Sequence, residues 1–252
     1  TELLLPTLFV QPEAPREGVV LNIASMRLFR YSEPDAAGRQ TVETFPVGIG
    51  RVGWATPVGE FSVIQKTENP AWYPPASVRE EHEEAGDPLP AVVPPGPENP
   101  LGSHAIRVNL PSYLIHGTNK PAGVGMRVSH GCVRLYPEDI AALFASVPVG
   151  LPVRIVDQPF LAAVYGQRIL LEVHAPLEDG NTDWLAALDR LARLAGGDPV
   201  DWQRVAAAGQ ELTGVPVPVG VNGPTQSRWR ALAELVSNPP PGESAPPDPA
   251  DG

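Results

Sequence analysis

The sequence predicts a mainly β domain with a long loop and short helices, followed by a smaller α/β or helical C-terminal region. Three observations predict it. Proline (32) and glycine (24) together exceed a fifth of the 252 residues and are spread among apolar alternations, not gathered in one tract. That distribution favours many short strands and turns over long helices. Residues 18–65 alternate at the period of a strand. A helical period appears only after residue 136 and again after residue 182.

Composition bounds the function. Apolar residues make up 42% and charged residues 19% of the chain, ordinary values for a soluble globular protein. The length allows one large domain or two modest ones. A net charge of −11 and a pI of about 4.9 argue against nucleic acid or an anionic membrane surface as partner. No apolar run approaches the roughly 20 residues of a membrane span. The opening TELLLPTLFV lacks a basic n-region and is too short for an h-region with a cleavage site, so the chain reads as a mature or truncated piece. A single cysteine rules out an internal disulfide, and with it disulfide scaffolds and Cys-rich zinc modules. It is neutral between compartments.

In chain order, GVVLNIASMRLFRYS places Val20, Asn22 and Ala24 on one side and Val19, Leu21 and Ile23 on the other. RQTVETFPVGIG and GEFSVIQK continue the alternation, broken at Gly50, Gly53, Pro57 and Gly59, and are expected as antiparallel strands. Residues 66–103 are rich in Pro, acidic residues and aromatics and are too long for a turn; loops of this length are usually lids or linkers. Trp72 and Tyr73 favour a packed lid, because linkers are poor in aromatics. HAIRVNLPSYLIHGT, 104–118, reads as two strands ending at a Gly turn, with His116 at the end of the second. YPEDIAALFASV reads as a short helix. Pro137 suits its first turn, Glu138 and Asp139 complement its dipole, and Ile140, Leu143, Phe144 and Val147 form its core stripe. GLPVRIVD and GQRILLEVH read as strands. TDWLAALDRLARLAG reads as a helix with Thr182 as cap, Gly196 as stop and Trp184, Leu185, Leu188, Leu191 and Leu194 as its packing stripe. DWQRVAAAGQEL and SRWRALAELV read as two more helices. The tail 238–252 is Pro-rich and acidic and reads as disordered.

The lone Cys132 lies in VSHGCVRL. A nucleophilic cysteine needs a base or cation, donors for an oxyanion, and access. His130 is two residues away and His116 sixteen upstream; both reach one thiol if the YLIH strand end lies beside SHGC. Gly131 allows close backbone approach, so the N–H groups of Gly131 and Cys132 are candidate oxyanion donors. Arg134 adds positive charge or grips a carboxylate. Plainer readings compete. A lone cysteine is most often a small buried hydrophobe, though His, Gly and Arg are poor company for one. His116, His130 and Cys132 are metal-ligand types but lack a fourth ligand at regular spacing. His82, His104 and His174 read as surface or structural residues. Trp72 and Tyr73 serve as lid anchors as readily as substrate contacts.

HGT at 116–118 followed by SHGCVRL at 129–135 resembles the signature of the L,D-transpeptidase catalytic domain of the YkuD type, within it the ErfK/YbiS/YcfS/YnhG group. The likeness extends through LPTLFVQPEAPREGVVLNIASMRLFRY, FPVGIGRVGWATPVGEFSV, the lid and HGCVRLYPEDIAALFASVPVGLPVRIVD, roughly residues 3–175, and thins out beyond. It resembles periplasmic enzymes of Gram-negative bacteria, which commonly carry a LysM module upstream. Residues 1–17 are therefore expected as a remnant or linker after such a module, 18–157 as the catalytic domain with its lid at 66–103, and 158–237 as a C-terminal subdomain. The resemblance implies a β-sandwich with the thiol at a cleft mouth, no cofactor and no metal.

It also implies a chemistry. Cys132 attacks the L-centre carbonyl of diaminopimelate in a peptidoglycan tetrapeptide stem, D-alanine leaves, and the thioester passes its acyl group to an amine. The amine belongs to a second stem or to the C-terminal lysine of an outer-membrane lipoprotein. By match to the motif, His116 is general base and then acid. His130 orients or helps ionise the thiol. Gly131 and Cys132 supply oxyanion donors. Ser129, Gly117, Thr118, Arg134 and the lid's Tyr73 line the substrate site. Water as acceptor would make the protein an L,D-carboxypeptidase or a hydrolase of the wall–lipoprotein link, and a catalytically silent wall-binding module is the non-enzymatic alternative.

Overall fold

A computed structural model describes residues 8–166, 168–177 and 183–220. The elements run β1 (Val19–Asn22), β2 (Arg27–Tyr31), β3 (Val42–Pro46), β4 (Ile49–Gly50), β5 (Gly59–Glu68), α1 (Ala76–Glu84), β6 (His104–Val108), β7 (Leu114–His116), β8 (Arg127–Ser129) and β9 (Val133–Arg134). They continue with α2 (Pro137–Ser146), β10 (Pro152–Val156), β11 (Phe160–Tyr165), β12 (Arg168–Val173), α3 (Trp184–Ala195), α4 (Trp202–Glu211) and β13 (Val217–Pro218). Strands dominate and the helices are short, the mainly β class that the Pro/Gly distribution and alternation imply.

Eight strands form one sheet in the order β3-β2-β1-β10-β5-β6-β7-β9, and β4 pairs with β8 beside it. The expectation of antiparallel strands holds for β1 with β2 and β2 with β3. Three pairs that each involve a strand beyond residue 65, for which no direction was expected, are parallel: β1 with β10, β7 with β9 and β4 with β8. The reason is visible in β1. All four of its residues are buried, because a central strand is covered on both faces. Val19 and Leu21 enter the main core, whereas Val20 joins Phe29 and Tyr31 on the opposite face. Alternation fixes which residues share a face but not the direction of the neighbouring strand.

The main core gathers residues from β1, β2, β5, β6, β7, β9, β10 and α2. Helix α2 starts with Pro137 at its first turn and Glu138 and Asp139 at its positive end. Ile140 and Leu143 are fully buried on the sheet. Burying a side chain of that size contributes about 1.5–3 kcal/mol, which seats the helix next to the loop after β7.

Residues 66–68 complete β5, so the long connection to β6 begins at Asn69. It contains α1 and a bridge between Trp72 and Val93. Asn99 is completely buried. Its amide donates to the carbonyls of Pro70, Val93 and Pro94 and its oxygen accepts from Leu101 N–H. One buried amide thus ties three turns of the connection together.

The C-terminal part packs β11-β12-β13 against α3 and α4 around a second core. The cap of α3 is Asp183, whose carboxylate accepts from Ala186 N–H at 3.0 Å; the expected cap, Thr182, lies outside the described residues. Gly196 ends the helix in the left-handed conformation, as expected. The expected leucine stripe holds for Leu188 and Leu191, which pack on this core, and is corrected elsewhere. Leu185 is 80% exposed, and the buried face is Ala187, Leu191 and Ala195, because small residues bring the helix close to β11. The helix expected at SRWRALAELV and the tail 238–252 lie outside the described residues. The N-terminal segment joins this part: Val10 packs with Leu161 and Leu170, and its N–H donates to the buried Glu172.

Candidate active site

The parallel pair β7/β9 places the chemistry. Its register sets Ile115 beside Val133 and His116 beside Arg134. Ile115 and Val133 point into the main core. Successive side chains of a strand alternate, so His116 and Arg134 share the other face, and Cys132, directly before β9, feels the charge of Arg134. The strand end of YLIH does lie beside SHGC.

Cys132 is half-buried. Its Sγ lies 3.5 Å from the Ser112 carbonyl oxygen. Burial pushes the thiol above its ordinary value, opposed by a backbone hydrogen bond from Leu114 and by the charge of Arg134. His116 is 3% exposed. Desolvation, then the charge of Arg134, lowers its pKa to about 4, against the carbonyls of Gly117 and Leu101. At neutral pH the imidazole is therefore uncharged and has a lone pair to offer. Arg134 is itself shifted down, by desolvation, with Cys132 opposing. Its Nε meets no hydrogen-bond partner among the described residues. A desolvated cation beside a thiol and an imidazole favours any anion that forms there.

Gly131 sits at φ +102°, and a Cβ there would lie 3.0 Å from the Tyr113 ring. Ser129 Oγ spans the turn, donating to the Cys132 carbonyl at 2.5 Å and accepting Gly131 N–H at 3.2 Å. This corrects one expectation: Gly131 N–H is not free to serve an oxyanion, since the turn uses it internally. Cys132 N–H meets no acceptor among the described residues.

His130 points elsewhere than expected. Its Nε2 lies 2.9 Å from Glu81 of α1 and 3.1 Å from Arg51 Nη2, and its ring stacks edge-on with Trp54 at 4.9 Å. Arg51 also pairs with Glu81. Hydrogen bonds from Arg51 and then His130 hold the Glu81 carboxyl down to about 2. The contacts of His130 Nε2 thus join the SHGC segment to α1. Gly117 packs so closely that a Cβ would lie 2.9 Å from Ile140. Thr118 is buried and accepts Lys120 N–H. Tyr73 is 71% exposed on the lid. Among the described residues no three His, Cys, Asp or Glu side chains group as a metal would require. A separate groove between residues 8–16, β11 and α3 is lined by no Ser, Thr, Cys, Lys or His.

Arg51, Trp54, Thr56, Glu81 and Tyr113 are residues that the motif did not reveal. Three of the five lie in one stretch, GIGRVGWATP, and the other two contact it, Glu81 through Arg51 and Tyr113 through the Ala55 carbonyl; its glycines read in sequence only as strand breaks. Gly50 is the informative one. A Cβ there would lie 1.9 Å from the Trp54 carbonyl oxygen and 3.0 Å from Gly131 Cα. That glycine lets the loop press against the turn at Gly131.

The catalytic-domain model of the L,D-transpeptidases, YkuD, matches residues 16–155. The chain belongs to this family. The "probable L,D-transpeptidase ErfK/SrfK" of Salmonella typhimurium is 40% identical over 232 residues, 88% of this chain and 73% of that protein. The "probable L,D-transpeptidase YbiS" of Escherichia coli K12 is 40% identical over 227 residues, 86% of this chain and 72% of its own length. YcfS of the same organism is 43% identical over 182 residues, 70% of this chain and 56% of the relative. A crystal structure of an L,D-transpeptidase from Mycobacterium tuberculosis H37Rv superposes with a TM-score of 0.40 at 20% identity, covering 57% of this chain and 59% of that one. The matched range contains both strands of the β7/β9 pair just described.

Proposed function

We propose that the protein is a periplasmic peptidoglycan L,D-transpeptidase that works through a thioester on Cys132. The observation that carries this reading is the pairing of His116 with Arg134, whose charge acts on both the imidazole and the Cys132 thiol. In the first half-reaction the thiol proton passes to neutral His116 as sulfur attacks the L-centre carbonyl of diaminopimelate in a tetrapeptide stem. Both groups are uncharged at rest, so the proton moves with the attack and not before it. Arg134 stabilises the negative charge on the way. Collapse of the tetrahedral intermediate expels D-alanine, which takes its proton from His116. An amine then attacks the thioester, and the second amide replaces the first with no external energy source.

The acceptor amine is a second stem's diaminopimelate or the C-terminal lysine of an outer-membrane lipoprotein. The lid spanning 69–103 covers the donor and excludes water, which favours aminolysis over hydrolysis. Incubating the protein with disaccharide tetrapeptide, with and without a lipoprotein C-terminal peptide, tests the proposal by product mass. Released D-alanine with a cross-linked dimer or a peptide adduct supports it. Tripeptide alone makes the protein an L,D-carboxypeptidase. Binding to sacculi with no product makes it a wall-binding module. Cys132→Ala is expected to abolish every product.

A further inference from the structure

The turn that carries the nucleophile is held from two sides. On one side Ser129 Oγ bonds the Cys132 carbonyl and the Gly131 N–H. On the other, Thr56 is 4% exposed and donates its hydroxyl to the Gly131 carbonyl oxygen at 2.8 Å, while accepting Gly50 N–H at 3.0 Å. Tyr113 adds a strut: its hydroxyl donates to the Ala55 carbonyl at 3.2 Å, and its ring lies against Gly131.

Gly131 C=O and Cys132 N–H belong to one peptide unit. The unit is planar and trans, so the two groups point in opposite directions. Fixing the carbonyl therefore fixes the direction of the N–H. Every other polar backbone group from Gly131 N–H to Cys132 C=O has a partner within the protein, and the Cys132 N–H has none among the described residues. An unpaired donor in a tightly braced turn costs free energy unless something uses it.

We propose that Thr56 is a positioning residue, whose hydroxyl clamps the Gly131 carbonyl and so aims the Cys132 N–H at the oxyanion formed when Cys132 adds to a carbonyl. This rests on reading Cys132 as an acylated nucleophile. In that step a sulfur–carbon bond forms, the carbonyl π pair moves to oxygen, and the thiol proton goes to His116. The nucleophile's own N–H is a recurrent oxyanion donor, and pre-aimed donors act without reorganisation at the moment of reaction. Thr56 touches no reacting atom in this scheme.

The test compares two reactions of one sulfur. A p-nitrophenyl ester acylates Cys132 through a tetrahedral oxyanion and releases nitrophenolate. Methyl methanethiosulfonate converts the same thiol to a mixed disulfide, releasing methanesulfinate, with no carbonyl involved. Loss of a full oxyanion donor costs roughly 100–1,000-fold. A misaimed donor is expected to cost about 10–100-fold, so Thr56→Val should slow acylation by that factor. Its thiolation rate and pH profile should stay within about twofold of wild type, since neither depends on an oxyanion. Thr56→Ser keeps the hydroxyl and should restore acylation. Equal slowing of both reactions, or of neither, overturns the proposal; so does a Thr56→Ser variant as slow in acylation as Thr56→Val. If Thr56→Val does not fold, Thr56→Ala against Thr56→Ser provides the same ratio. A wild type acylated by the ester that releases no D-alanine from tetrapeptide defeats the proposed function, while the ratio still decides the role of Thr56.

Discussion

His116 donates its Nδ1–H to the Gly117 carbonyl oxygen at 2.6 Å. In the neutral ring this leaves the lone pair on Nε2, and a neighbouring residue's backbone thereby fixes the tautomer. Because burial lowers the folded pKa to about 4 from an ordinary 6.5, the sign of the pH effect follows. Between those values the unfolded chain binds a proton that the folded protein refuses. Stability should therefore fall as pH drops from about 6.5 to about 4, by about 1–3 kcal/mol from this residue, and level off below. Denaturant midpoints measured across that range should show the slope in wild type and lose it in His116→Gln.

The same neutral pair predicts the reactivity of the thiol. With Cys132 pushed above its ordinary value, little thiolate exists at pH 7. Thiolation by methyl methanethiosulfonate should rise with pH through and beyond the range of a free cysteine. Arg134→Gln removes the cation that lowers the thiol and should move the curve to still higher pH. An unchanged curve would show that the guanidinium does not act on the sulfur.

Glu81 holds α1 to the SHGC segment through Arg51 and His130. Its pKa is depressed to about 2, so its contribution is present above the ordinary carboxylate range and is lost as pH falls from there through 2. The side chain is partly exposed, and surface ion pairs add little to global stability. Glu81→Gln should leave the unfolding midpoint unchanged while backbone hydrogen exchange across 69–103 speeds up. Exchange equal to wild type would mean that Asn99 alone orders the lid.

Gly131→Ala should both destabilise and inactivate. The position requires φ +102°, and the added methyl meets the Tyr113 ring at 3.0 Å. Left-handed strain of this kind costs about 1–3 kcal/mol. The readouts are thermal unfolding and nitrophenyl-ester acylation, and acylation should fall by more than the loss of folded protein accounts for.

Two leucines on α3 test the corrected packing face. Leu191 is fully buried and Leu185 is 80% exposed. Leu191→Ala should cost about 2–5 kcal/mol, and Leu185→Ala should stay within about 0.5 kcal/mol of zero. Equal losses in denaturant unfolding would restore the leucine stripe as the packing surface.

Sequence by itself determined the elements with strong local signals. Pro137 and the stripe behind it define α2, Gly196 ends α3, and the alternation in β1 sorts Val19 and Leu21 from Val20. The SHGC and HGT motifs singled out Cys132 and the strand that carries His116, since a run of unusual residues has few alternative explanations. Tertiary structure alone decided strand direction, because alternation reads the same for parallel and antiparallel neighbours. It alone turned His130 toward Glu81, 49 positions away, and brought Thr56 to Gly131 across 75. Contacts at such separations leave no periodicity in the chain. They exist only once the sheet has folded, and in this protein they are what orient the peptide that carries the thiol.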